Sequence, residues 1–282
     1  MTTENPTLHT PLSGLRQLLT MAKSMAINLL LAIPWMRRLV LPTHVTGMDG
    51  NEEQARELLR FFEGMADIRD AVILELGPGK TLETLQFARE RGARYVIAAD
   101  IVAYHSEEAA QQRGVDYRLF DGATLPVADA SVDMVWACYC MQHFRDPQAM
   151  LQEIHRVLRP GGTLICRVDL RDHYHMFHRG KQYDCLRHSA RVWRWIAWNR
   201  SSYVNRLRLS EWQRLLGEAG FRTSKLVPHE DVQLLKDNRS HNYLSHLDDR
   251  DLKTYRFDGS FRRTLCILLG ALLNGLLIVD HG

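Results

Sequence analysis

The chain is short of the features that would assign it quickly. Its 36 Lys and Arg against 33 Asp and Glu leave a net charge of +3 over 282 residues, too balanced to demand nucleic acid or an anionic surface as its main partner. Five cysteines, Cys138, Cys140, Cys166, Cys185 and Cys266, give an odd count with no paired spacing. That excludes a disulfide framework and suits a reducing compartment, so the expected location is cytoplasmic. Cys138-Tyr-Cys140 has one intervening residue and no second pair, which argues against zinc, and no metal is expected. The apolar stretch near the start lacks a small-residue cleavage site, so no signal peptide is read. No apolar run reaches the roughly 20 residues that a spanning helix needs. No internal repeat is visible.

What is present centres on Val72-Ile-Leu-Glu-Leu-Gly-Pro-Gly-Lys-Thr81, an apolar run ending in an acid and a Gly-x-Gly turn, followed by helical spacing from Leu82 to Arg91. This is the pattern of a first strand, a ligand-binding turn and a helix in an α/β sheet. A phosphate-binding Walker loop is excluded, because its earlier glycine would fall at Leu74. A dinucleotide loop has Leu82 where its third glycine belongs. Further strands are expected at 94–99, 115–120, 132–138, 163–170 and 221–227. Asp146-Pro147 starts a helix and Arg159-Pro-Gly-Gly162 stops it. Alternating strands and helices predict a doubly wound, mostly parallel sheet.

Around this core, residues 1–50 read as an N-terminal extension, disordered to 11 and helical from Leu12 to Leu41, with Arg37-Arg38 after its apolar part. It is expected to cap the domain or to lie at a membrane interface. Residues 51–228 form the main domain, opened by a helix at 51–65. Within it, 171–209 is an insertion over the carboxyl ends of the strands, rich in Arg, Trp193, Trp195, Trp198 and histidines that include His173, His175, His178 and His188. A capping box, Ser210-Glu-Trp-Gln213, opens the next helix. Residues 229–282 comprise an irregular lid over 229–260 and an apolar tail over 265–279, either a last strand or a membrane-associated segment.

Three acids fall at successive strand tips: Glu75, Asp100 and Asp121. Ligands of open α/β sheets bind there. A carboxylate at the second tip can accept ribose hydroxyls, and one at the third an exocyclic amine. An acidic first turn suits a sulfonium and an ammonium better than a pyrophosphate. Glu75-Leu-Gly-Pro-Gly79, Asp100, Asp121-Gly-x-x-Leu-Pro126, Ser131-Val-Asp-Met-Val135, Met141-Gln-His-Phe-Arg-Asp-Pro147 and Leu158-Arg-Pro-Gly-Gly162 together resemble a class I S-adenosylmethionine (SAM)-dependent methyltransferase. The resemblance covers about residues 70–170 and is nearest the small-molecule type that includes ubiquinone and menaquinone methyltransferases. It implies a Rossmann-like fold and SAM as cofactor. It also implies Gly77 and Gly79 under the methionine part with Glu75 shaping the turn, Asp100 with Ile101 at the ribose, Asp121 with Gly122 beside the adenine, and Ala137 or Cys138 facing the transferred methyl. Thr81 departs from the family's alternating glycines. Candidate bases for a hydroxyl acceptor are His143, Asp169 and His173.

The expected acceptor is a small molecule or a glycan or lipid precursor, with anionic groups met by the insertion's arginines. It places the protein in the cytoplasm or on the inner face of a membrane, and a nucleic-acid acceptor is disfavoured. An NAD(P) oxidoreductase and a SAM-fold protein without turnover remain the alternatives.

Overall fold

Strands β1 (Val72–Leu76), β2 (Tyr95–Asp100), β3 (Asp116–Leu119), β4 (Val132–Cys138), β5 (Leu158–Asp169), β6 (Phe221–Glu230) and β7 (Thr254–Arg263) form one sheet in a computed structural model that describes residues 14–33, 35–36, 51–173, 182–200, 203–239 and 241–264. The order is β3-β2-β1-β4-β5-β7-β6. The first five strands run parallel, and β7 lies antiparallel between β5 and β6. The order reverses between β1 and β4, so the carboxyl ends of those two strands flank the crevice where such sheets take ligands.

Apolar side chains alternate along the strands and feed a core on each face. Leu74, Val135, Leu164, Phe257 and Phe261 meet α5 (Pro147–Val157) and α7 (Leu209–Glu218) on one side. Ile73, Val96, Trp136 and Ile165 meet α2 (Glu52–Glu63) and α3 (Glu83–Glu90) on the other. Phe62 of α2 stacks on Trp136 with centroids 4.1 Å apart. A short α4 (Glu107–Gln112) packs behind β3. The cap expected at Asp146 forms, accepting from the Ala149 N–H at 3.0 Å, and Asn51 caps α2 by accepting from the Gln54 N–H at 2.9 Å. Arg159–Gly162, read as a break before the strand, instead lies within β5, where the register with β4 shifts between Val132 and Met134.

Two expectations need correcting. The capping box at Ser210 does not form. Glu211 accepts from the Arg208 N–H at 2.9 Å, while Ser210 gives its N–H (3.0 Å) and its hydroxyl to Asp251, a residue 41 positions later. The irregular lid over 229–260 is replaced by α8 (Val232–Arg239), α9 (Asp249–Lys253) and most of β7. β7 looks polar because its apolar contribution to the core with α5 and α7 is Phe257 and Phe261, four positions apart on one face. Its charged residues pair within the sheet, as in the two hydrogen bonds of 3.0 and 3.1 Å from Arg167 to Asp258.

The insertion contributes α6 (Ala190–Ala197), capped by Ser189, and a small core of Cys185, Trp193, Ile196, Ala197, Tyr203 and Val204. α1 (Gly14–Leu31) packs on α6. Trp193 is buried and donates to the Val204 carbonyl at 2.9 Å, whereas Trp195 is exposed. His175, His178, residues 1–11, part of the 12–41 segment and the whole 265–279 tail lie outside the described residues.

Candidate functional site

The β1 turn crosses the crevice in a left-handed backbone. Gly77 has φ +64 and Gly79 φ +69, a region open to residues without a Cβ. A Cβ on Gly77 would stand 3.0 Å from the Cys140 Cβ, so the turn also needs glycine for space. The Gly77 N–H donates to the Ala99 carbonyl at 2.8 Å and the Gly79 N–H to Asp100 Oδ2 at 3.1 Å. The tips of β1 and β2 are thus sewn together, with Glu75 and Asp100 both buried between them.

These two carboxylates differ in what holds them. Asp100 also accepts from the Val102 N–H at 3.0 Å. Burial raises its carboxyl above the usual range, against the opposing pull of the Val102, Gly79 and Ile101 amides. Glu75 Oε2 is buried with no hydrogen-bond partner. Burial first, then the Asp100 charge, pushes the Glu75 carboxyl up to about 8. Ile101 is exposed and touches the site of Gly122, whose φ is +85. Asp121 is exposed at the next tip, and its Oδ1 accepts from the Ala123 and Thr124 N–H groups at 2.8 and 3.0 Å, which lower its carboxyl. Asp121 therefore spends one oxygen shaping its own loop.

Beyond β4 the histidines converge. His143 closes the 3-10 turn Met141–His143, and its Nδ1 lies 2.6 Å from the Tyr203 carbonyl. A carbonyl only accepts, so Nδ1 carries the hydrogen and Nε2 keeps its lone pair. Burial first, then the neighbouring His173, pulls the His143 imidazole down to about 4. The His143 and His173 rings meet edge to face at 4.9 Å. Asp169 Oδ2 stands 3.7 Å from His173 Nε2 and takes the Arg171 guanidinium through bonds of 2.8 to 3.2 Å. Burial alone would raise the Asp169 carboxyl; His173 and Arg171 outweigh it and hold it well below the usual range. His143, from the turn after β4, is brought to Asp169 and His173, which lie four residues apart at the end of β5.

Cys138 sits between the acidic and histidine sides at the β4 tip, where burial pushes its thiol up to about 12. The next residue, Tyr139, has φ +55, an uncommon position for a bulky side chain and one that clusters at functional sites. Its hydroxyl accepts from Arg256 Nη1 at 3.4 Å. Arg256 and His229 in turn surround Asp258, which also binds Arg167. Sequence reading missed this cluster, because Arg256 and His229 fell in stretches read as loop. It credited the insertion with ligand-facing arginines instead. Arg208 is buried and donates to the carbonyls of Leu170, Asp251 and Thr254, and Arg206 donates to that of His188. Those two arginines hold the insertion in place. Asn205 does the same: its backbone N–H donates to the Gln142 carbonyl at 2.8 Å and its side-chain amide to the Met141 carbonyl at 2.9 Å.

Residues 74–166 match the methyltransferase domain family. The chain is 30% identical over 120 residues to a malonyl-[acyl-carrier protein] O-methyltransferase of Xylella fastidiosa, covering 41% of each chain. It is 36% identical over 92 residues to a demethylmenaquinone methyltransferase of Corynebacterium efficiens, covering 33% of this chain and 39% of that one. The alignments thus span about two fifths of the length of these curated relatives. Among solved structures, the complex of the Haloferax volcanii Trm112 methyltransferase activator with a methyltransferase superposes with a TM-score of 0.52 at 18% identity, over 77% of this chain and 95% of that one. The fold is that of the class I methyltransferases, and residues 74–166 form a methyltransferase domain.

Proposed function

We propose that the protein transfers a methyl group from SAM to a hydroxyl of a small-molecule, glycan-precursor or lipid-precursor acceptor. The carrying observation is the buried Glu75 carboxyl beside Asp100 under a glycine turn, its Oε2 without a hydrogen-bond partner. Burial and the Asp100 charge leave Glu75 protonated at pH 7; a cationic ligand would favour its ionised form, whereas a pyrophosphate would add negative charge beside Asp100. This disfavours a nicotinamide dinucleotide.

The residues fit the cofactor. Gly77 and Gly79 leave open backbone for the methionine part, with Glu75 facing its cationic end. Asp100 uses one lone pair per oxygen on amides, which leaves others for ribose hydroxyls. Ile101 and Gly122 offer an apolar shelf for the adenine, with the free oxygen of Asp121 toward its amine. When bound, SAM supplies a methyl on a sulfonium, a carbon already carrying a good leaving group. The protein then contributes alignment and exclusion of water. Cys138 and the strained Tyr139 line the acceptor side of that position.

The proton of the acceptor hydroxyl goes to His143 Nε2, neutral at pH 7 and presented by the Tyr203 carbonyl. The imidazolium so formed is disfavoured by burial and favoured by the nearby Asp169 charge. We read Asp169 as the group that orients His173 against His143, because a carboxylate held so low is a poor base. Lipid and glycan precursors reside at membranes, and we place the protein there as a peripheral protein. Among the described residues no helix is long and apolar enough to cross a membrane. Calorimetry with SAM, S-adenosylhomocysteine and NAD tests the reading: the first two are expected to bind and NAD not, and tighter binding of NAD would overturn it.

A further inference from the structure

α1 is amphipathic in the reverse sense. Leu15, Leu18, Leu19, Ala22, Ala26, Leu29 and Leu30 recur at three- and four-residue steps, which places them within an arc of about 120° on one side of the helix. All seven face outward, and the five leucines are between 42% and 70% exposed. Ile33 and Trp35, just past the helix, are exposed too. The side turned to the protein carries the polar groups. Ser24 and Asn28 are buried beside Leu31, and Met21 and Met25 pack on the Trp193–Tyr203 core of the insertion. Asn28 donates to the Arg194 carbonyl at 3.2 Å and accepts from the Asn199 N–H at 2.7 Å, and the Asn199 side chain donates to the Asn28 carbonyl at 3.1 Å. These bonds fix which face looks out. An ordinary surface helix buries its apolar stripe instead.

Charge says what covers the stripe. From residue 5 to residue 48 the sequence has no Asp or Glu and carries Arg16, Lys23, Arg37 and Arg38, although the whole chain is nearly neutral. A leucine stripe with a tryptophan at its end, in a segment of one charge sign, matches the surface of an anionic bilayer: leucines enter the acyl boundary, tryptophan sits at the headgroups and cations face lipid phosphates. We propose that the outward face of α1 docks the protein on anionic lipid membranes. Because α1 rides on α6, and the Tyr203 carbonyl of the same core holds His143, the docked face lies on the acceptor side of the molecule. An amphiphilic acceptor would then enter from the bilayer. That last step rests on the methyl-transfer reading; the docking itself does not.

The test is flotation of the full-length protein, without SAM, on vesicles of mixed phosphatidylglycerol and phosphatidylcholine or of phosphatidylcholine alone. The expected result is binding to the anionic vesicles at least tenfold stronger than to the neutral ones. Leu18→Glu/Leu19→Glu, at positions already in water, is expected to keep the fold by circular dichroism and to lose at least tenfold in vesicle binding. Failure of the wild type to float, equal flotation of the variant, or equal binding to neutral vesicles would each overturn the proposal. So would a wild-type dimer that the variant converts to monomer without either form binding vesicles, which would assign the stripe to self-association. Calorimetry with SAM on the same samples reads the methyl-transfer assignment separately.

Discussion

Glu75 and Asp169 are both buried acids at strand ends of one crevice, and their environments drive them in opposite directions. Burial raises both. Glu75 has no partner to oppose it, and its only charged neighbour of note is another acid. Asp169 has Arg171 and His173. The partner, not the burial, decides the sign. The difference separates the strand ends into a side where burial and a neighbouring acid raise a carboxyl and a side where Arg171 and His173 hold one ionised.

The largest effect that would sharpen this division is on turnover. His143→Ala is expected to lower kcat by 10²- to 10⁴-fold, the usual worth of a positioned base, with SAM affinity within about twofold of wild type by calorimetry. A matching loss of SAM affinity would place His143 on the cofactor side and break the division. Because His143 is held near 4, its limb of the kcat profile should fall near pH 4 rather than at the free-imidazole value of about 6.5. Next comes Asp100→Ala. Loss of charge-assisted hydrogen bonds to the ribose costs about 1.5–3 kcal/mol, a 10- to 100-fold weaker Kd for SAM, and Glu75→Ala should follow in the same direction. Unchanged affinity in both variants would remove the assigned cofactor site.

The two sides were not equally legible beforehand. β1, β2 and β4 could be read because a parallel strand buried on both faces writes a largely apolar run, and because Glu75 and Asp100 close the first two. β7 could not. Its buried residues include the charged Asp258, which is neutralised by Arg256 in the same strand and by Arg167, 91 positions away. The same distance hid the role of Tyr203, whose carbonyl sets the His143 tautomer from 60 positions on. A backbone carbonyl leaves no mark in the sequence. The α7 start misled for a related reason: Ser210 has the right local neighbours for a box, but Asp251 takes both its donors.

The opposite shifts also predict opposite stability slopes in the ligand-free protein. The folded Glu75 carboxyl stands at about 8, against an ordinary value of 4.5. The folded state therefore holds a proton that the unfolded chain releases, and this group's contribution to stability declines as pH rises from about 4.5 to about 8, by at most about 1.4 kcal/mol per pH unit. Asp169 is depressed, so its contribution is complete above the ordinary Asp range near 3.9 and is lost as pH falls further. Glu75→Gln should flatten the neutral-pH decline in thermal melts and leave the acid limb; Asp169→Asn should do the reverse and lower stability at pH 7. Identical slopes in the two variants would show that the acids share one environment.

The smallest expected effect is at Asp121, where the carboxylate is exposed and one oxygen already serves its own loop. Asp121→Asn keeps an oxygen that can accept from the Ala123 and Thr124 amides, so the loop should hold. Only the oxygen left for the adenine amine changes character. A neutral acceptor in water is worth little less than a charged one there, and the Kd for SAM should rise by no more than about threefold, about 0.6 kcal/mol. Asp121→Ala removes the loop bonds as well and should cost more than Asp121→Asn. If the two variants weaken SAM binding equally, the residue acts through direct contact with the ligand, and the cofactor side of the crevice extends one strand further than the buried pair at β1 and β2.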